Sequence, residues 1–172
     1  MSNIFFTSDH HFHHENIIKL CNRPFKDLDE MHDEMIQRWN SVVGKSDTVY
    51  HLGDLTLGNK QDASEILSRL NGLIYIIKGN HDKRWYGYNI YGSEIRFLPP
   101  IHLFMHDGLR LVLSHYPLRE WEGYWRGYGH IYGHVHGNLP AYGKSFDIGV
   151  DDWDFEPVPL ETVVSEFSKF GN

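Results

Sequence analysis

Five short apolar runs, each rich in β-branched or aromatic residues, end on side chains able to hold a metal ion, and this repetition restricts the fold more than any other feature of the chain. Ile4-Phe5-Phe6 leads to Asp9 and His11, and Val49-Tyr50 leads to Gly53-Asp54. Ile74-Tyr75-Ile76-Ile77 runs into Gly79-Asn80-His81-Asp82, Leu111-Val112-Leu113 into Ser114-His115, and Ile131-Tyr132 into Gly133-His134-Val135-His136. In layered α/β proteins the carboxyl ends of neighbouring strands meet along one crevice, where ligands bind. The five tips are therefore expected to converge.

The segments between the runs have helical spacing. Behind Asp29, read as an N-cap, Met31, Met35, Ile36, Trp39, Val42 and Val43 form a stripe that stops before Gly44. A second helix opens at Gln61 or Asp62, turns Ile66, Leu67 and Leu70 inward and ends at Asn71-Gly72, ahead of a strand over residues 73–78. This βαβαβ opening predicts parallel strands with right-handed crossovers. Farther on, apolar runs at 101–105 and 109–113 flank His106-Asp107-Gly108, a hairpin signal, so the second half is expected to be largely antiparallel. A last helix over 160–170 should pack Val163, Val164 and Phe167. Such a sequence suits a two-sheet sandwich in one domain spanning 1–172.

With 172 residues the chain can bury a real core, and 41% hydrophobic with 23% charged residues is ordinary for a soluble globular protein. No apolar stretch is long enough to span a bilayer, and an apolar strand replaces any signal-like opening, so cytoplasmic residence is the default expectation. Cys21 stands alone, which excludes an internal disulfide and a cysteine-rich zinc site. The net charge of -7 comes without a basic stripe, which argues against long duplex nucleic acid as a partner. A small phosphate ester stays open, because bound cations would supply the positive field.

Carboxylates, imidazoles and an amide together suit manganese, iron, zinc or nickel. The ordered set Asp9-x-His11, Gly53-Asp54, Gly79-Asn80-His81-Asp82, His115 and Gly133-His134-x-His136 resembles the calcineurin-like metallophosphoesterase superfamily, in particular its small uncapped bacterial and phage members. The resemblance implies an α/β fold, a four-layer α/β/β/α sandwich of two mixed sheets, with two divalent ions at one edge. It assigns Asp9, His11, Asp54 and His136 to one ion and Asp54, Asn80, His115 and His134 to the other, with Asp54 as the bridge. Manganese is the first expectation, with nickel, iron or zinc as alternatives. By the same resemblance His81 falls beside the scissile phosphate, with Asp82 as its orienter, and a hydroxide held between the ions attacks a phosphodiester or phosphomonoester.

Thirteen histidines make chance pairs at ligand-like spacing inevitable. His10, His13, His14, His32, His51, His102, His106 and His130 are read as surface or hydrogen-bonded residues, and His51 as a core residue or partner to a ligand. The His10-to-Glu15 cluster lacks the His-Glu-x-x-His order of a metalloprotease helix. Two stretches bear on substrate. Trp121, Tyr124, Trp125 and Tyr128, interleaved with Arg119 and Arg126, form either a base-stacking face or a packed loop, the latter preferred. Residues 83–88, with Tyr91 and Gly92, read as a flap, and Arg84 and Arg119 are the candidate phosphate contacts. The alternatives to a phosphoesterase are a catalytically silent scaffold on the same fold, as in a retromer subunit of that superfamily, and a nuclease.

Overall fold

In the computed structural model, which describes residues 2–88 and 94–170, the alternation along β1 (Ile4–Thr7) sets up the layers. Phe5 packs with Val49, Ile74 and Ile76 beneath two helices, while Phe6 points the other way, onto Leu52, Ile77, Leu111, Leu113 and Ile131. β1 pairs in parallel with β2 (Thr48–His51), which pairs in parallel with β3 (Leu73–Ile76), and β3 with β4 (Ile95–Phe97). The second sheet contains β5 (Ile101–His106), β6 (Leu109–Ser114), β7 (Gly129–Tyr132) and β8 (Ser145–Asp147) in that spatial order. The short β9 (Val158–Pro159) returns antiparallel beside β1, so both sheets are mixed.

The hairpin β5–β6 forms as expected, with Asp107 (φ 46°) and Gly108 (φ 84°) both left-handed, as a tight two-residue turn requires. Beyond that hairpin the expectation of a largely antiparallel second half fails in the second sheet. β6–β7 and β7–β8 are parallel, because the connections after Ser114 and after Tyr132 are long enough to carry the chain back to the starting end.

Four layers result. On the outer face of the first sheet lie α2 (Leu28–Val42) and α3 (Lys60–Arg69), burying Met31, Met35, Trp39, Ile66 and Leu67. Losing the fully buried Trp39 side chain would cost about 3–5 kcal/mol. Both helices start earlier than the sequence suggests. Asp27, not Asp29, caps α2 by accepting from the Glu30 amide at 2.9 Å, and Asn59 caps α3 in a reciprocal box with Asp62. A short α1 (Glu15–Leu20) was not anticipated. The outer face of the second sheet is covered by the segment around Trp121, whose ring lies 5.0 Å from His130. α4 (Leu160–Ser168) inserts Val163 and Phe167 into the core between the sheets, whereas Val164, expected inside, is 45% exposed because it lies one step around the helix.

The two sheets join at one rim. Ser8 and Gly149 form a parallel bridge, the Val150 amide donates to Ser8 O at 3.1 Å, and the Asp9 and His11 amides donate to Gly53 O and Asp54 O at 3.0 Å each. The carboxyl ends of β1–β3 and β6–β8 therefore meet, as the five tips require. Among the described residues no helix is long and apolar enough to cross a membrane.

Candidate metal centre

Local backbone geometry aims the donors. Asp9 (φ 59°), His11 (φ 56°), Asp54 (φ 55°), His134 (φ 75°) and His136 (φ 49°) all adopt the left-handed region, which Asp and His enter more readily than most residues but still at a cost of order 1 kcal/mol each. The turns around them are tight. Gly53 (φ 102°) has no room for a Cβ, which would approach the Gly79 amide nitrogen to 2.6 Å and His115 Nδ1 to 2.7 Å. At Gly133 a Cβ would collide with Ser8 and the Asp9 carboxylate.

Asp9 and His11, both buried, bring Oδ1 and Nε2 to 3.7 Å, and His11 Nε2 lies 3.6 Å from Asp54 Oδ2. Asp54 Oδ2 is central, with His115 Nε2 at 3.5 Å and His81 Nε2 at 3.9 Å. Ligand atoms of Asp9, His11 and His136 lie within 4.8 Å of one another, as do those of Asp54, His115 and His134. Asn80 Oδ1 sits 2.9 Å from His115 Nε2. His115 Nδ1 lies 2.9 Å from Leu52 O, an acceptor, so Nδ1 carries the proton and Nε2 offers a lone pair to the site. Asp9 Oδ1 and His11 Nε2 are buried and have no hydrogen-bond partner. Unpaired buried polar atoms facing a carboxylate are costly unless a cation completes them, so the residues fit a divalent metal.

At Asp9 and His11 the electrostatics agree with that fit, whereas His136 must give up a proton to join it. Burial acts to raise the Asp9 carboxyl, yet His11, His115 and His136 outweigh it and hold it well below the usual range. Burial drags His11 down to about 4, leaving a neutral ring with a lone pair to give. Burial, reinforced by the charge of Asp9 and opposed by the His81 amide, pushes Asp54 up to about 6. Burial would lower His136, but hydrogen bonds to Asp151 and Cys21 raise it to about 10.

The supports were only partly visible in the sequence. Arg23 is buried, donates to Asp151 through Nε and Nη2 at 2.8 and 2.9 Å, and also donates to the carbonyls of Asp9 and His10 at 2.7 Å each. Asp151 in turn holds His136 Nδ1 at 2.7 Å, which points His136 Nε2 away from it. Asp147 accepts from the amides of Gly137 and Gly149 at 2.8 and 2.7 Å, pinning the loop after His136 to β8. The strand-then-acid pattern of the five tips recurs at Phe146-Asp147-Ile148-Gly149-Val150-Asp151, and that repeat was the available signal. Nothing in the sequence pointed to Arg23. Asp82 does not orient His81. Its carboxylate accepts from the amides of Asp54, Leu55 and Gly79 at 2.8, 3.0 and 2.8 Å and so fixes the loop that carries Asp54. His51 is paired, with His10 Nδ1 at 3.0 Å and the Gly53 amide at 3.2 Å.

On the open side His81 is 41% exposed at its side chain, with its ring 5.2 Å from that of His11. Tyr116 lies against His134 at 4.6 Å, and its hydroxyl is 3.5 Å from Asn80 Oδ1. Arg84 and Arg119 are not gathered with this group. Arg84 lines a surface depression with Asn59, Lys60, Gln61 and Ser64, and Arg119 lines another with Leu118, Leu139 and Tyr142. No metal-donor residue lines either one. Tyr91 and Gly92 of the expected flap lie outside the described residues. In the aromatic segment, Trp121 is buried as a packing residue and donates to Tyr128 O at 2.9 Å, while Trp125 is 85% exposed.

Residues 2–164 match the model of a family described as calcineurin-like phosphoesterase. An uncharacterized protein of Methanocaldococcus jannaschii is 37% identical over 98% of this chain and 93% of its own length. The gene 66 protein of Mycobacterium phage L5 is 29% identical over 68% of this chain and 64% of its own. The crystal structure of a protein of unknown function from Aquifex aeolicus superposes with a TM-score of 0.72 at 24% identity, covering 96% of this chain and all of that one, a likeness of fold.

Proposed function

Because the chain belongs to the calcineurin-like phosphoesterase family, we propose that it is a metal-dependent hydrolase of a small phosphodiester or phosphomonoester, nucleotide-like esters included. The observation that carries this reading is the pair of buried, unpartnered atoms Asp9 Oδ1 and His11 Nε2 beside the central Asp54 Oδ2. Two divalent cations, manganese before nickel, iron or zinc, would be held by Asp9, His11, Asp54 and His136 and by Asp54, Asn80, His115 and His134, supplying Lewis acidity toward phosphate and a nucleophile from water at neutral pH.

The protein's own groups do the rest. Asp54 reaches both donor sets through one carboxylate, because its Oδ1 is occupied by the His81 amide at 2.8 Å and its Oδ2 is left for the centre. His81 is solvent-accessible; its ligand atom lies within 4.8 Å of those of His11 and Asp54, but this reading assigns it to neither ion and leaves its imidazole to protonate the departing oxygen. The net charge of -7 supports a small ester over long duplex nucleic acid, and the unpaired Cys21 suits the reducing cytoplasm, where we place the protein.

The test is a panel of phosphate esters, including p-nitrophenyl phosphate, its bis-ester and 2′,3′-cyclic nucleotides, offered to chelator-stripped protein resupplied with each metal. Hydrolysis that returns with metal and is missing in Asp54→Asn supports the proposal. Protein that takes up two equivalents of metal and cleaves nothing across the panel refutes it and favours a binding module.

A further inference from the structure

His14 occupies the N-cap position of α1 yet makes no capping hydrogen bond, so the ordinary reason for a polar side chain there does not apply. Its Nδ1 instead lies 3.2 Å from His11 Nδ1, and its ring centroid is 5.3 Å from that of His11 and 5.9 Å from that of His81. The residue is half-buried, so part of it stays open to solvent.

The proton positions follow from these contacts. His11 turns Nε2 toward Asp9 Oδ1 and Asp54 Oδ2, so a cation there takes the Nε2 lone pair and leaves the His11 proton on Nδ1. A protonated His11 Nδ1 donates, His14 Nδ1 must then accept, and the one proton of a neutral His14 is left on Nε2. Nε2 lies across the ring from the His11 contact, so the N–H is carried by the edge not engaged with His11.

From this geometry we infer that His14 is a second phosphate-contacting residue. Fixed as a neutral Nε2–H donor by a metal-bound His11, it holds a non-bridging oxygen of the ester, while His81 serves the leaving oxygen. The inference rests on the phosphoesterase reading and narrows it. Arg84 and Arg119 line depressions that no metal-donor residue shares, and the imidazoles of His14 and His81 are the solvent-accessible basic side chains described beside the donor group. A neutral donor suits that place, since it grips an anion without repelling the adjacent cations.

The test compares wild type with His14→Ala and His14→Gln, each metal-loaded, using inorganic phosphate as the calorimetric probe and bis-p-nitrophenyl phosphate for turnover. Metal content should stay at the wild-type level in both variants. His14→Ala should weaken phosphate binding and raise KM about 10- to 100-fold, the range for one hydrogen bond to a charged ligand, with kcat changed far less. His14→Gln, whose amide can place an N–H near the former Nε2, should recover most of that loss. In metal-loaded wild type, ¹⁵N shifts should report the Nε2–H tautomer at His14. Unchanged phosphate affinity in His14→Ala overturns the inference, and so does loss of a metal equivalent in both variants, which would make His14 only a prop for His11. If wild type binds metal and phosphate but cleaves no ester, the enzymatic reading fails on its own, and the phosphate affinities still decide the role of His14.

Discussion

Among Asp9, His11 and His136 the two imidazoles meet other side chains, whereas among Asp54, His115 and His134 the Asp54 carboxylate and the His115 ring meet backbone groups. The Asp9 carboxylate joins the two sets by accepting from the His134 amide at 2.7 Å. In the first group Arg23 and Asp151 orient His136, Arg23 also grips the Asp9 carbonyl, and His14 touches His11. In the second, Leu52 O holds His115, the His81 amide holds Asp54, and the Asp54 amide is tied to Asp82. Exposure does not separate the groups, since each contains one half-exposed imidazole, His134 or His136. Anchoring of the rings does, and it leaves His136 open to substitutions at Asp151 or Arg23, neither of which is a donor.

The largest effect belongs to the residue both groups share. Asp54→Ala should empty both metal positions and lower turnover about 10⁴-fold or more, measured by metal analysis and steady-state kinetics together. Retention of one full equivalent would break the idea of a shared ligand. His81→Ala should lower kcat roughly 10²–10⁴-fold while both metals stay, and metal loss there would show that His81 belongs to a donor group after all.

Asp151→Asn sharpens the contrast most directly. Affinity at the Asp9–His11–His136 position should fall about 10- to 100-fold, with the other position spared, as titration with a competing chelator would reveal. Equal weakening of both would mean the two groups are coupled rather than separately anchored. Proton release separates them too. In the metal-free protein His136, raised to about 10, is protonated at pH 7, whereas His134 is lowered by burial and the nearby His115. Filling the first position near pH 7.5 should therefore expel about one proton from His136, and filling the second should expel fewer, read by calorimetry in buffers of different ionisation enthalpy. The smallest effect is expected of Tyr116→Phe, which removes a hydroxyl 3.5 Å from Asn80 but keeps the ring against His134; KM and kcat should each move less than about threefold.

What was legible in the sequence was whatever is local. The helical stripe from Met31 to Trp39, the Asp107-Gly108 turn and the strand-end position of each donor follow from periodicity and turn chemistry. The direction of β7 and β8 did not, because a hairpin signal at 107–108 describes one connection and was extended to its neighbours. Convergence of His115 with His134 itself requires β6 and β7 to run the same way, so the donor order could have corrected the antiparallel expectation. Arg23 was invisible because it meets Asp151 from 128 positions away, and a buried ion pair leaves no periodic trace. Asp82 was misread because adjacency to His81 suggested a partner, while its carboxylate turns back toward three amides.

The left-handed backbone at Asp9, His11, Asp54, His134 and His136 has an implication for engineering. Glycine or asparagine would relax each of these positions, so a library selected only for heat tolerance in chelator should drift toward them and discard the donors one by one. Selection in the presence of metal should pull the opposite way, and the same rim of the molecule would then record which pressure had been applied.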